Sequence, residues 1–332
     1  MNASQAQDHV NVADGAPHRP LPRSFVAALA VSAGLVCVVA WNQMYWWNNL
    51  ADYRFGWTVP VLVAYLVNQR WPRIVSLVRA LEARSCPRAS GWRAWLLDTA
   101  FALLGLWGAG WFLVGAFYRA TMGPSYSASF ALAIGAGSLA LTMVYYSSPS
   151  APVGAPSSPI TADARLKLCG CLLFLLGAWL LSAPLLGAVE WSLSRFLLHQ
   201  LMAGVGFVFN ALCLPIALRG NILVLPNGNV GVEEACSGIR SLIGCLFAGL
   251  FLSAALLERW RHKALLLALA ILFALAANLL RALFLAGLAY AYGPNSIEGA
   301  VHDITGYAVL AGTAALLLLV TQRLAKRSES RR

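Results

Sequence analysis

The sequence predicts an all-α polytopic membrane protein: a bundle of about eight transmembrane helices, with a small extracytoplasmic β-hairpin and interfacial helices beside it. Three observations carry that prediction. Of 332 residues, 59% are hydrophobic and only 11% charged, where a soluble domain carries roughly 25% charge. The apolar residues fall in runs of about 20, the length that crosses a bilayer as a helix. The basic residues collect on alternate connections between those runs, as the positive-inside rule requires. The net charge of +11 is therefore a signal of topology, and no nucleic-acid partner is expected.

Residues 1–23 are polar, with Pro17, Pro20 and Pro22, and read as a disordered cytoplasmic tail. The membrane domain occupies 24–322, and 323–332 form a basic cytoplasmic tail. Span one, Phe25–Trp41, is followed by WNQMYWWNNL with no small-residue cleavage site, so it is an anchor rather than a signal peptide. Span two is Tyr53–Arg70, followed by an arginine-rich loop; spans three and four are Ala94–Phe117 and Ser127–Tyr146. The stretch 147–159, SSPSAPVGAPSSP, has linker composition. Span five is Leu166–Val189, span six Cys236–Leu257, span seven Ala264–Tyr290 and span eight Val301–Gln322.

Glu190–Leu218 differs from these runs. Arg195, His199, Gln200 and Asn210 interrupt its apolar pattern, which points to helices lying in the interface. Two short β-type runs then flank Pro226-Asn227-Gly228-Asn229, a hairpin signal. An open hairpin has unpaired edges and belongs outside hydrocarbon.

With the N-terminus inside, the inside segments hold two, six, two, three and five Lys or Arg, 18 in all. The outside segments hold Arg54, Arg119, Arg195 and Arg219, and Arg240 and Arg281 lie within spans. The hairpin and Cys236 then face the extracytoplasmic side of the plasma (inner) membrane.

The stretch with most chemistry is Val232–Leu242, VEEACSGIRSL, at the mouth of span six, within a core of motifs over 190–310. Measured from the cytoplasmic end of its own span at 1.5 Å per residue, Cys236 stands roughly 33 Å up. Arg281 stands roughly 27 Å up and His302 roughly 31 Å. Three helices thus bring a thiol, a guanidinium and an imidazole to one depth.

A thiolate is a nucleophile, and its pKa falls at a helix N-terminus or beside a cation. Imidazole can take the thiol proton and return it to a leaving amine. Arginine cannot deprotonate and offers five donors, enough to hold an oxyanion. Asn278, one turn before Arg281, is placed to orient it, and Glu234 is an alternative partner that would make Arg281 a structural anchor. Arg240, on the face of Cys236, is either a thiolate neighbour or a loop anchor. Asp303 follows His302 directly and is a poor orienting partner, since adjacent helical residues point apart. The seven cysteines show no zinc spacing, so neither metal nor cofactor is expected.

These residues, VEEACSGIRSL with NLLR at 278–281 and HDITGY at 302–307, resemble the exosortase/archaeosortase family of multispanning membrane cysteine enzymes. The Cys-Ser-Gly motif falls on Cys236, Ser237 and Gly238, the arginine on Arg281, and the histidine of the bacterial branch on His302. FGWTVPVLVAYLVNQR is similar to an early family span, with Phe55 where histidine is common. The resemblance implies a cysteine protease or transpeptidase acting on exported proteins through a thioester. Its partners would be membrane lipid and proteins with a C-terminal sorting signal: a short motif, often Pro-Glu-Pro, one membrane helix and a basic tail. Two other classes compete with it, a transporter or polysaccharide-export component lined by Arg281, and a non-catalytic scaffold for sorting helices.

Overall fold

The computed structural model describes residues 20–83, 86, 88–148, 159–232 and 238–329. Nine helices follow in order among them: α1 Arg23–Asn49, α2 Val59–Glu82, α3 Trp92–Met122, α4 Tyr126–Tyr146, α5 Ala164–Ser182, α6 Gly187–Ala211, α7 Ile239–Leu256, α8 Trp260–Tyr292 and α9 Ala300–Glu329. Between α6 and α7 stands a three-stranded antiparallel sheet, β1 Ala217–Arg219, β2 Ile222–Leu225 and β3 Gly228–Gly231. Residues 1–19 of the expected tail and 149–158 of the expected linker lie outside the described residues.

Length and apolarity qualify eight helices to cross a membrane, α1 and α3 to α9. The number matches the prediction, but the membership does not. The predicted second span ends at Arg70, whereas α2 runs on past it through Pro72 and Arg73 to Glu82, and its charged second half leaves it outside that set. The helix continues because Arg70 finds acceptors: Nη1 donates to Cys171 O at 2.7 Å and Nη2 to Ala254 O at 2.6 Å. Its far end packs with Phe25, Leu97 and Leu168 through Ile74, Val78 and Leu81, the opposite end of the bundle from its start beside Phe247.

Helix α6 has the length and composition of a span, yet both its ends lie at one end of the bundle. Gly187 meets Tyr126 at the start of α4, and Phe209 packs its ring 6.0 Å from that of Tyr290, near the end of α8. The helix therefore lies across that end, as its interrupted apolar pattern suggests. It stops in a Schellman turn: Cys213, at φ 57, donates to Asn210 O, and Leu214 donates to Phe209 O.

The same end receives the sheet. The predicted hairpin pairs Leu225 with Gly228 across Pro226-Asn227, and a third strand joins β2 through Arg219 and Ile222. Gly228, at φ 137, has no room for a side chain, because a Cβ there would stand 2.9 Å from Pro294 Cγ. Leu223 and Leu225 turn inward onto Leu201, Val205 and Ala286. Asn227 Nδ2 donates to Tyr290 O at 2.7 Å, which ties the turn to α8.

Several polar side chains inside the bundle pair with one another or with backbone carbonyls, as hydrocarbon favours. Gln43 on α1 donates to Trp179 O at 3.2 Å and accepts from Ser182 Oγ at 2.7 Å. At the opposite end Arg165 bridges Asp98 at 3.1 Å and Asp163 at 3.0 Å. Burial works to raise the Asp163 pKa, but the Arg165 guanidinium and the amides of Ala89 and Arg165 outweigh it and hold the carboxyl below its ordinary value. That contribution to stability is present above the unfolded carboxylate range and is lost as pH falls through the lower folded value.

Helix α3 is the outlying member. Its buried residues are Leu97, Gly108 and Gly115, and it meets α4 along a seam of small residues. Helix α9 continues to Glu329, so residues 323–329, expected as a tail, prolong the last helix.

Candidate active site

The site forms where α7, α8 and α9 meet. Helix α7 begins at Ile239 because Gly238 takes a left-handed conformation, φ 88 and ψ 5, as its N-cap. A side chain there is excluded twice over: the φ disfavours it, and a Cβ would lie 2.5 Å from Asn278 Nδ2. Asn278 is buried, 6% exposed, and sets α7 against α8 at this level. From here α8 runs 14 residues further to Tyr292, about 21 Å, and α6, the sheet and the 3-10 turn Pro294–Ile297 pack around that extension.

Arg281 is one turn above Asn278. Its Nη2 lies 2.8 Å from His302 Nε2 and 3.4 Å from His302 O. A guanidinium has no acceptor, so Nε2 accepts and the ring proton resides on Nδ1. Gly306, one turn along α9, lies beside the guanidinium; a Cβ there would make ordinary contact, 3.6 Å from Nη2. Arg281 Nε is buried and has no hydrogen-bond partner among the described residues. Thr305 Oγ1 donates to the carbonyls of Val301 and His302, both at 2.9 Å, which fixes the first turn of α9.

Gly238, Arg240, Asn278, Arg281 and His302 all line one cavity of about 150 Å³. Three elements from separate parts of the sequence, singled out for their chemistry, share a single space. Glu234, Cys236 and Ser237 lie outside the described residues; Cys236 stands two positions before the glycine that borders the cavity. Asn278 was placed in the sequence to orient Arg281. Its side chain abuts Gly238, and Arg281 Nη2 contacts His302.

Arg240 pairs its Nε with Asp52 Oδ1 in the 3-10 segment Ala51–Thr58. Of the two roles open to it, the described contact is that of an anchor, tying the connection after α1 to the first turn of α7. Phe55 in that segment packs 4.9 Å, ring to ring, from Phe247 on α7. Asp52 was missed in the sequence, and the available signal was an acid in a polar hinge opposite an arginine with no assigned partner. Asp303 lines the cavity beside His302. The His302 Nε2 faces Arg281. Tyr307, also on the cavity wall, carried no sequence signal beyond its place in the HDITGY motif.

The family model described as transmembrane exosortase matches residues 46–319, a stretch that contains every one of these residues. The chain belongs to the transmembrane exosortase family. Membership assigns this exosortase a role in membrane sorting or processing and a place among multi-pass membrane proteins. Comparison with curated proteins and with solved structures gave no match.

A stability test follows from the N-cap. Gly238→Ala is expected to cost about 1–2 kcal/mol from backbone conformation alone, with the Asn278 clash added. Gly287→Ala on α8, where a Cβ meets nothing within 4 Å, should be neutral or slightly stabilising. Thermal unfolding of both variants in detergent reads the difference, and equal midpoints would refute the assigned role of Gly238.

Proposed function

We propose that this exosortase is a cysteine transpeptidase or protease that cleaves C-terminal sorting signals of exported proteins. The reading rests on one observation above all, the Arg281–His302 contact of 2.8 Å on the wall of the cavity that Gly238 borders. Two peptide units separate Gly238 from Cys236, at most about 7 Å of chain.

The chemistry proceeds by acyl transfer. A substrate carbonyl oxygen draws the Arg281 guanidinium toward itself and so releases His302 Nε2, which takes the thiol proton of Cys236. The thiolate sulfur attacks the carbonyl carbon, a C–S bond forms, and the oxyanion is held by Arg281 N–H donors. Collapse breaks the C–N bond, and His302 returns its proton to the leaving amine. The thioester then passes to water or to an acceptor amine, which restores the thiol.

Trapping tests the nucleophile. A co-expressed substrate with a sorting motif, one membrane helix and a basic tail should yield a Cys236-linked adduct that hydroxylamine releases. Persistent absence of the adduct, with the protein intact by thermal unfolding, would sink the proposal.

The distribution of basic residues supports an extracytoplasmic position for the site end of the bundle. A periplasmic reporter fused after Gly228 is expected to be active and one fused after Arg261 silent. The reverse pattern would put the thiol on the wrong side for exported substrates.

A further inference from the structure

A second cavity lies at the other end of the bundle, about 27 Å along α8 from Arg281. It measures about 520 Å³ and is lined by Arg70, Arg73, Lys167 and Lys263, with Glu258 and Trp260 beside them. Its cations come from α2, α5 and α8. Arg70 is fixed by its bonds to Cys171 O and Ala254 O, while Gln69 Nε2 donates to Ala255 O at 2.9 Å. Together these side chains cap the last turn of α7, whose carbonyls would otherwise lack partners. Lys263 is half-buried, with Nζ 4.5 Å from the centre of the Phe174 ring. Arg73 and Lys167 stand exposed on the rim.

Four cations therefore share one cavity with a single lining carboxylate. None of the four is in a salt bridge among the described residues, where the ion pairs are Arg165 with Asp98 and Asp163, and Arg240 with Asp52. Like charges gathered at close quarters repel, and the repulsion is relieved when an anion binds among them. The rest of the wall is apolar: Leu173, Phe174 and Leu256 line it, and Trp260, 73% exposed, stands where interfacial tryptophans meet headgroups.

We propose that this cavity binds the phosphate of an anionic phospholipid headgroup. Arg70 and Lys263 form its fixed floor, Arg73 and Lys167 close over the phosphate, and the apolar wall carries the start of the acyl chains. Basic pockets between membrane helices hold anionic headgroups by this combination of charge and apolar surface. A soluble phosphate would use the charge and leave the apolar wall unused. The site is separate from the Arg281 cavity and does not depend on the reaction assigned there.

The test uses the full-length protein, delipidated in detergent, in native mass spectrometry with phosphatidylglycerol, phosphatidylcholine or inorganic phosphate. Phosphatidylglycerol is expected to bind in preference to phosphatidylcholine. Arg73→Gln/Lys167→Gln should weaken it about 25-fold, from two lost cations near the headgroup. Both positions are exposed, so the fold should survive, and thermal unfolding verifies that. Arg73→Lys/Lys167→Arg, which keeps the charge, should retain binding. Equal affinity for the two lipids, or an unchanged affinity in the glutamine variant, would overturn the site. Displacement of the lipid by millimolar inorganic phosphate would overturn the lipid assignment in favour of a soluble phosphate ligand.

Discussion

Arg281→Lys is expected to lower turnover by about 10²-fold or more, the cost of losing a positioned oxyanion donor. The charge is kept, but the geometry is not. Arg281 reaches both the ring nitrogen and the carbonyl of His302 from one Nη2, at 2.8 and 3.4 Å, with further N–H groups left for substrate. A lysine ammonium is a point donor on a longer flexible stem and cannot reproduce that planar fork. His302→Ala should fall as far, since the thiol then lacks its proton acceptor. Adding it to Arg281→Lys should cost little more, because groups that act as a unit are not additive. Arg240→Ala should do less harm, since its described partner is Asp52 on the neighbouring connection. Cleavage of a co-reconstituted sorting-signal substrate, measured in single turnover, reads all four. A lysine variant within tenfold of wild type would remove Arg281 from the chemistry.

The second large effect concerns the fold. Gly135→Leu should destabilise the protein by about 3 kcal/mol, the upper end for overpacking a tight contact. A Cβ at Gly135 would stand 2.5 Å from Phe112 N and 2.8 Å from Gly108 O, and one at Gly115 would stand 2.8 Å from Leu132 N. These are backbone atoms, which cannot swing aside as a side-chain end can. Helix α3 buries little besides this seam, and Leu103, Leu106 and Leu113 are more than 60% exposed. Losing the contact should release α3 from α4 and leave the three-helix site in place. Proteolysis between Met122 and Tyr126 would report the release. Unchanged resistance together with an unchanged thermal midpoint would contradict the seam.

Most of the bundle was legible because hydrocarbon imposes long apolar runs, and these survive any detail of packing. What escaped was polar residues with distant partners. Arg70 and Arg73 looked like the beginning of a loop, since the acceptors of Arg70 lie on α5 and α7, 101 and 184 residues away. The helix also passes through Pro72. The site followed the same logic. Arg281 and His302 were conspicuous as ionisable groups at one depth in apolar runs, and they meet. The Asp52–Arg240 pair was not visible, because 188 residues separate its members and Asp52 carries no motif of its own. Gly238 was legible as part of a motif, but its left-handed φ and its contact with Asn278 belong to the packing of α7 on α8.

The position of α6 has a consequence for parity. A helix that leaves and returns at the same end of the bundle adds no crossing, so the described helices span the bundle an even number of times, with α2 counted and α6 not. The orientation of α7, α8 and α9 is therefore set by five crossings upstream, α1 to α5. Deleting or duplicating one of those five would invert the final three and turn the mouth bordered by Gly238 toward the opposite compartment. Deleting or duplicating an adjacent pair would leave it facing as before. Changes in α6, its length included, are free of that constraint so long as both its ends stay at the site.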